Sequence, residues 1–438
     1  MMGARRGLFG GIVSALVSTG VAAPQKPAPA QPAPLQVSLA EAVRRALDVQ
    51  PAVIQARGAV RTASANERAA WGAYLPTITT SGSANRTNAA GVDLTTGRPV
   101  IVPGEYRYSV GLSASLDLFT GFKRGAMRRA ASARTDAADA GFVNQRYQVS
   151  AATAQLFYTS LANEELVRVA ESQLERAQEQ LQIAVNKFQA GAATRSDTLT
   201  ATVDLGNARL ALLQAQANLA TSQANLARQI GADQPVRAVP DTAFPSPPDT
   251  AALRADVIDR SPQVQQAEAQ AKAAGADVTA ARSQYWPTLR VSYNDTRQGP
   301  ASRSFPQFDE TFRWTFGLSW LLFDGFSREA SQASASVQRD VAQASAADTR
   351  RQLGADLTQQ LAALFTAYAQ IGITGTNVVA ATEARRVTQE RYRLGAGTLL
   401  DLLTAEANLT QAEVNQVQAR YNYLIARAQV EAVVGHAL

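Results

Sequence analysis

The spacing of apolar and polar positions changes period in the same order twice along this chain. A helix is predicted from Ser38 to about Trp71, with Ser38 and Glu41 placed as a capping box, and its counterpart runs from Asp249 to about Gln284. The pattern then switches to period two. In Tyr106–Leu118 the even positions are apolar or aromatic, including Tyr106, Tyr108, Val110 and Leu112, while Arg107, Ser109, Ser113, Ser115 and Asp117 take odd ones. In the second copy Phe312, Trp314, Phe316, Leu318, Trp320 and Leu322 alternate with Arg313, Thr315, Gly317 and Ser319. Shorter alternations at Thr77–Asn85 and Thr288–Arg297 follow two proline turns, so each half holds a two-stranded hairpin, over 76–119 and 287–323.

A very long helix follows each hairpin, from about Phe122 to Ala190 and from about Phe326 to Leu394, neither interrupted by proline. At 1.5 Å per residue each is roughly 100 Å long. Near the end of the first, Val167, Leu174, Leu181 and Phe188 occupy one heptad position and Ala170, Ala177 and Ala184 another. The returning helix carries Leu205, Leu212, Leu219 and Leu226 with Ala208 and Ala215, and its double carries Ala405, Ala412, Ala419 and Ala426. Large residues facing small ones permit close coiled-coil packing.

The recurrence is a tandem duplication. Phe188–Gly231 lies over Tyr392–Gly435 without a gap, and Pro51–Pro76 over Pro262–Pro287, where Tyr74-Leu-Pro-Thr answers Tyr285-Trp-Pro-Thr. The repeats span 35–231 and 249–435, joined by a linker at 232–248 and followed by a tail at 436–438. Each contains one small turn between helices, Gly191-Ala-Ala-Thr-Arg-Ser-Asp197 and Gly395-Ala-Gly-Thr-Leu-Leu-Asp401. Gly191 and Gly395 suit the left-handed backbone that ends a helix, and Thr194 with Asp197, or Thr398 with Asp401, can cap the next.

Arg5 and Arg6 precede an apolar run ending in small residues, which reads as a signal peptide over 1–23, followed by a Pro/Ala-rich segment at 24–34. The run is too short and too rich in Gly and Ser for a spanning helix. The formal charge of +6 falls to +3 without Arg5, Arg6 and Lys26, and no basic run interleaved with aromatics argues for nucleic acid. The absence of cysteine excludes disulfides, thiolate metal sites and an acylated N-terminal cysteine. The one histidine, His436, has no partner set for catalysis or metal binding, Met1, Met2 and Met127 outline no soft-metal path, and there is no phosphate-binding loop. No enzyme activity, cofactor or metal is expected, and Glu164 and Glu165 beside Arg168 are ordinary helix-surface charges.

Strands with aromatic residues on one face and Arg, Ser and Asp on the other match a lipid-facing wall around a wet interior. Four strands cannot close a barrel, since membrane barrels have about eight or more, so other copies of the chain must complete it. The predicted fold is mainly α with a membrane β-barrel, in which tandem-duplicated long coiled-coil helices accompany four strands per chain.

The order of elements, the corners Leu118-Phe-Thr-Gly-Phe122 and Leu322-Phe-Asp-Gly-Phe326, and the turn Tyr392-Arg-Leu-Gly395…Thr398…Asp401 resemble the TolC family of outer-membrane efflux proteins. The resemblance covers nearly the whole mature chain. It implies a homotrimer with a twelve-stranded barrel in the outer membrane and a helical tunnel in the periplasm. It further implies docking to a periplasmic adaptor and to an inner-membrane RND or ABC transporter, for which the channel is the passive exit duct of a tripartite efflux or type I secretion system. The two turns then form the periplasmic tip, with Gly191, Thr194, Arg195, Asp197, Gly395, Thr398 and Asp401 as gate or adaptor contacts. Family members often carry a further acidic residue three positions beyond the second aspartate, where this chain has Thr404. The alternative, a periplasmic coiled-coil adaptor or scaffold without a pore, gives no reason for Phe312–Leu322. An envelope enzyme would need an acid or histidine cluster that the sequence does not show.

Overall fold

The computed structural model describes residues 34–95, 97–240, 245–246 and 260–435. The leader, the Pro/Ala-rich segment before Pro34, residues 249–259 at the start of the second repeat, and the tail with His436 lie outside the described residues, as does part of the linker.

The duplication is visible in the element lengths. α3 (Lys123–Gln189) and α6 (Ser327–Arg393) have 67 residues each, and the returning helices α4 (Arg195–Ile230) and α7 (Leu399–Val434) have 36 each. Ala170, Ala177, Ala184 and Ala208 are buried in the first hairpin, and Ala405, Ala412, Ala419 and Ala426 in the second, as the heptads predict. Phe188 departs from its seam: it lies one residue before the end of α3 and is exposed.

The first predicted helix is two, α1 (Leu39–Val49) and α2 (Pro51–Gly72). Gln50 takes an extended backbone ahead of Pro51, as a residue before proline prefers, and its side-chain Nε2 donates to the Gln229 backbone carbonyl at 2.6 Å. The capping box at Ser38 is only half formed. Ser38 accepts from the Glu41 amide, but the Glu41 carboxylate turns to Arg44 and Arg45 instead of back to the cap. In the second repeat α5 (Pro262–Arg282) begins at the equivalent Pro262 and ends in a short 3-10 turn at Ser283–Tyr285.

The largest core lies midway along the long helices. Phe157 and Leu161 of α3, Leu226 and Ile230 of α4, Leu357, Leu361 and Leu364 of α6, and Tyr423 and Val430 of α7 meet there. Two strands of three residues, β1 (Leu35–Val37) and β6 (Val236–Ala238), pair in parallel over it.

The four strands predicted from alternation are β2 (Thr77–Arg86), β5 (Tyr106–Thr120), β7 (Thr288–Pro300) and β8 (Asp309–Ser319), and they form one antiparallel sheet in the order β2-β5-β7-β8. The last strand stops at Ser319, leaving Trp320, Leu321 and Leu322 in the corner that follows. The two hairpins join through β5 and β7, from Arg107 opposite Pro300 to Thr120 opposite Thr288. A bulge between Asp117 and Phe119 takes Leu118 out of register. A minor hairpin, β3 (Ala89–Val92) with β4 (Pro99–Val102), fills the loop between β2 and β5. The outer edges of β2 and β8 pair with nothing among the described residues.

Candidate functional site

Register settles which side chains share a face, because side chains alternate and directly paired residues point the same way. Leu112 pairs with Asp295 and Asp295 with Phe312, Ala114 with Tyr293 and Trp314, Leu116 with Val291 and Phe316, and Phe119 with Leu289 and Leu318. All of the strand positions predicted for the wall, Tyr106, Tyr108, Val110, Leu112, Phe312, Trp314, Phe316 and Leu318, therefore lie on one face. Those side chains are exposed, Phe316 at 70% and Leu318 at 72%. Trp320 lies just past the strand, its indole N–H donating to the Tyr285 carbonyl at 3.2 Å. Toward the other end the same face turns charged, first with Asp295 in the row of Leu112 and Phe312, then with Arg297, Glu310 and Arg86, where Arg297 and Glu310 pair at 2.9 Å.

The opposite face is polar throughout. Thr79 and Ser113 share a hydroxyl hydrogen bond of 2.6 Å, Ser115 pairs with Ser292 and Ser113 with Asn294, and Asp117 binds Arg290 at 2.5 Å.

Sheet and tunnel helices meet at two equivalent corners. Phe122 and Phe326 are the non-glycine residues with left-handed backbone among the described residues, at φ 71° and 69°. Such a conformation costs about 1–2 kcal/mol for a residue with a Cβ. Each ring lies edge-on to the phenylalanine three residues earlier, Phe119 at 5.4 Å and Phe323 at 5.7 Å. Two residues on, Arg124 donates to the Leu118 carbonyl and Arg328 to those of Leu321 and Leu322. Arg124 lies over Tyr74 and Arg328 over Tyr285, both at 4.8 Å. These arginines and tyrosines were legible as duplicated positions, since each arginine follows the Gly-Phe of its corner by the same interval and each tyrosine opens the proline motif, but sequence alone assigned them no role.

At the far end the two turns are near copies. Gly191 and Gly395 are left-handed at φ 72° and 78°. Thr194 and Thr398 cap α4 and α7 in full capping boxes: the Asp197 amide donates to Thr194 and the Asp401 amide to Thr398, both at 3.2 Å, and the aspartates accept from the threonine amides at 2.9 and 3.0 Å. The Thr398 hydroxyl also donates to Asp401, and these bonds hold its carboxyl below the ordinary carboxylate value. The cap's contribution is therefore complete above the ordinary value and is lost only as pH falls through the lowered one. Arg195 is exposed and makes no ion pair within the described residues. The sequence candidates thus divide: the aspartates serve their own helices, and Arg195 points to solvent.

The tips of the two repeats touch through residues that sequence reading missed. Tyr392, 4% exposed, packs with Leu399, Leu402 and Ile183. The Lys187 ammonium sits 4.1 Å above its ring and donates to its carbonyl. Burial, and then the nearby Asp197 carboxylate, push the Tyr392 phenol up. Higher up, Glu406 of α7 is clasped between Arg176 of α3 at 3.1 Å and Arg385 of α6 at 2.7 Å, and Arg176 also reaches Glu413 at 3.0 Å. The heptad spacing of Glu406 and Glu413 is a visible signal, but their partner in the other repeat is not.

No helix of the described residues is long and apolar enough to cross a membrane. Residues 42–232 and 253–436 each match the outer membrane efflux protein family. A probable efflux pump outer membrane protein of Pseudomonas putida, TtgC, is 26% identical over 370 residues, covering 82% of this chain and 75% of that one. Protein CyaE of Bordetella pertussis is 27% identical, covering 86% and 79%. The CmeC outer membrane channel of Campylobacter jejuni shares the fold at TM-score 0.79 and 19% identity over 91% of this chain and 85% of that one, and VceC of Vibrio cholerae at 0.78 and 18% over 91% and 96%. Two matched segments that coincide with the two repeats, on a chain with this sheet and these helices, make the protein a member of the outer membrane efflux protein family, an outer-membrane channel whose helical tunnel extends into the periplasm.

Proposed function

We propose that three copies of this chain form one exit duct, closed at rest by its periplasmic tip and opened by an adaptor that links it to an inner-membrane RND or ABC transporter. The observation that carries this reading is the sheet: four strands with one apolar and one polar face, and unpaired edges at β2 and β8. An edge strand in lipid leaves backbone groups without partners, each costing several kcal/mol, so β8 of one copy pairs with β2 of the next until the wall closes. The apolar face, with Tyr106, Tyr108, Val110, Leu112, Phe312, Trp314, Phe316 and Leu318, turns to lipid. Trp320, Trp286 and the corner phenylalanines then form the inner aromatic belt, and the Arg297–Glu310 pair marks the outer rim. The duct supplies no energy and no chemistry of its own. TtgC of Pseudomonas putida, a relative named as a probable efflux pump outer membrane protein, fits this role. A coiled-coil adaptor without a pore has no use for such a sheet. Cross-linking of the detergent-solubilised protein is expected to stop at the trimer, and a stable monomer inserted in lipid overturns the reading.

In the trimer six turns alternate around the tip, where exposed Arg195 of one copy faces Asp197 or Asp401 of its neighbours. An exposed pair is screened by solvent and contributes little, so closure rests on three copies acting together, and an adaptor gripping the turns around Gly191 and Gly395 needs only a modest preference for the open form. Arg195→Ala combined with Asp401→Ala is expected to raise the resting conductance in planar bilayers while leaving trimers intact. Thr398→Ala is the control, since it removes the hydroxyl cap at a cost of about 1 kcal/mol but keeps the charge. Equal conductance in the control and the double variant reduces the aspartate to a helix cap.

A further inference from the structure

We propose that Arg313 makes the interior of the barrel favour anionic solutes. The inference rests on the reading of the polar face as a lumen wall and goes beyond it by assigning the lumen a sign and a residue. Five charged side chains lie on that face within the strands: Arg107 and Asp117 of β5, Arg290 of β7, and Asp309 and Arg313 of β8. Asp117 and Arg290 neutralise each other at 2.5 Å, and Asp309, at the loop end of its strand, lies 3.8 Å from Arg303. Arg313 is different. It makes no ion pair or side-chain hydrogen bond among the described residues, and it stands near mid-height in the sheet, opposite Asn294, which in turn lies opposite Ser113.

The positions around it on the same face are Thr311 and Thr315, Ser292 and Thr296, Gly111 and Ser115, without a carboxylate. On this face of its own strand the nearest acidic group is Asp309, four residues away and so about 13 Å distant, since Glu310 lies on the opposite face. The next copy would bring β2 against β8, and the polar face of β2 carries Thr77, Thr79, Ser81, Ser83 and Asn85, again without an acid. Closing the barrel therefore leaves the guanidinium uncompensated. It also repeats it three times around one level, and Arg107, likewise unpaired, extends the positive field toward the outer rim. A guanidinium stays charged at any physiological pH. A ring of arginines inside a low-dielectric wall concentrates anions and repels cations.

The cysteine-free chain allows a direct reading of the local potential. Asn294→Cys places a thiol directly across from Arg313, and Thr315→Cys, two residues along the same face, is a second reporter should the first disturb assembly. In proteoliposomes of the trimer, rates of modification are compared for the sulfonatoethyl and trimethylammonioethyl methanethiosulfonates, each normalised to its rate on a free thiol. The anionic reagent is expected to be favoured on the order of tenfold. Arg313→Ser in the same background should return the ratio to the free-thiol value. A ratio at that value with Arg313 present, or one that Arg313→Ser leaves unchanged, overturns the assignment. If neither reagent reaches either cysteine in the folded trimer while both label the unfolded chain, the polar face is not a lumen, and the pore reading falls with the inference.

Discussion

Arginine in place of Phe316 is expected to weaken insertion of the barrel by about 2–4 kcal/mol, while arginine in place of the adjacent Thr315 leaves assembly unchanged. The two residues are neighbours in sequence and opposites in environment. Phe316 lies in a row with Val291 and Leu116, between the rows of Trp314 with Tyr293 and Leu318 with Leu289, and the Tyr293 and Trp314 rings stack at 4.9 Å. A charge there meets hydrocarbon at the middle of the apolar band. Thr315 lies in a row with Ser292 and Ser115, where a long cationic side chain enters water. Since each 1.4 kcal/mol is a factor of ten in an equilibrium, the Phe316 variant should fall by some thirtyfold or more in folded, heat-stable trimer recovered from outer membranes, and by the full difference in denaturant unfolding from vesicles. Comparable losses from both variants show that the faces are assigned the wrong way or that the sheet is not in lipid.

What could be read from the sequence is what repeats at short range. The period of two in Tyr106–Leu118 and Phe312–Leu322 indicates which side chains share a face, and register agrees as far as Asp117 and Ser319; beyond them a bulge puts Phe119 in place of Leu118, and Trp320 and Leu322 fall outside the strand. The equal lengths of the long helices follow from the equal spacing of corner and tip turn in the two repeats, Phe122 to Gly191 and Phe326 to Gly395, and from the absence of proline between them. Three things escaped. Pro51 interrupts the first helix through the conformation of Gln50, and proline at the first position of a helix is indistinguishable in sequence from proline that ends one. The β1–β6 pair is three residues long, too short for any alternation to register, and forms because Leu35 and Val236 lie over the central core, some 200 residues apart. The joining of β5 to β7 across the repeat boundary is a matter of topology rather than of local pattern.

The tip shows the same division in its chemistry. Gly191, Thr194 and Asp197, with their doubles, carry a capping signature within seven residues, and the structure places them as caps. The contacts that hold the two repeats together at this end join Lys187 to Tyr392 and Arg176 to Glu406, each pair more than 200 residues apart, and no spacing rule reaches that far.

Removing Glu406 is expected to have the second large effect, because this one carboxylate serves both repeats. Its two oxygens face Arg176 of the first repeat and Arg385 of the second, and all three side chains are largely withdrawn from solvent, Glu406 at 13% and Arg176 at 14% exposure. Glu406→Ala leaves Arg385 without its acidic partner and Arg176 with only Glu413 and the Thr410 hydroxyl. Breaking a fully buried pair costs 3–5 kcal/mol; residual solvent access, and the lack of hydrogen-bond alignment between Arg176 Nε and Glu406, lower this to about 1–3 kcal/mol. The loss should exceed that of an exposed pair such as Arg386 with Glu383, where solvent screening leaves either substitution to alanine with little effect on stability. Glu406 lies only eight residues from the Thr398 cap, about 12 Å up the helix, so what is lost is the attachment of the second tip to the first. We therefore expect Glu406→Ala to lower the unfolding temperature of the purified trimer and to raise its resting conductance together. In a double-mutant cycle, Arg176→Ala with Glu406→Ala should cost less than the sum of the two, with a coupling of at least 0.5 kcal/mol. Strictly additive losses, or a fall in stability with the resting current unchanged, would mean that the clasp fastens helices locally and takes no part in keeping the tip shut.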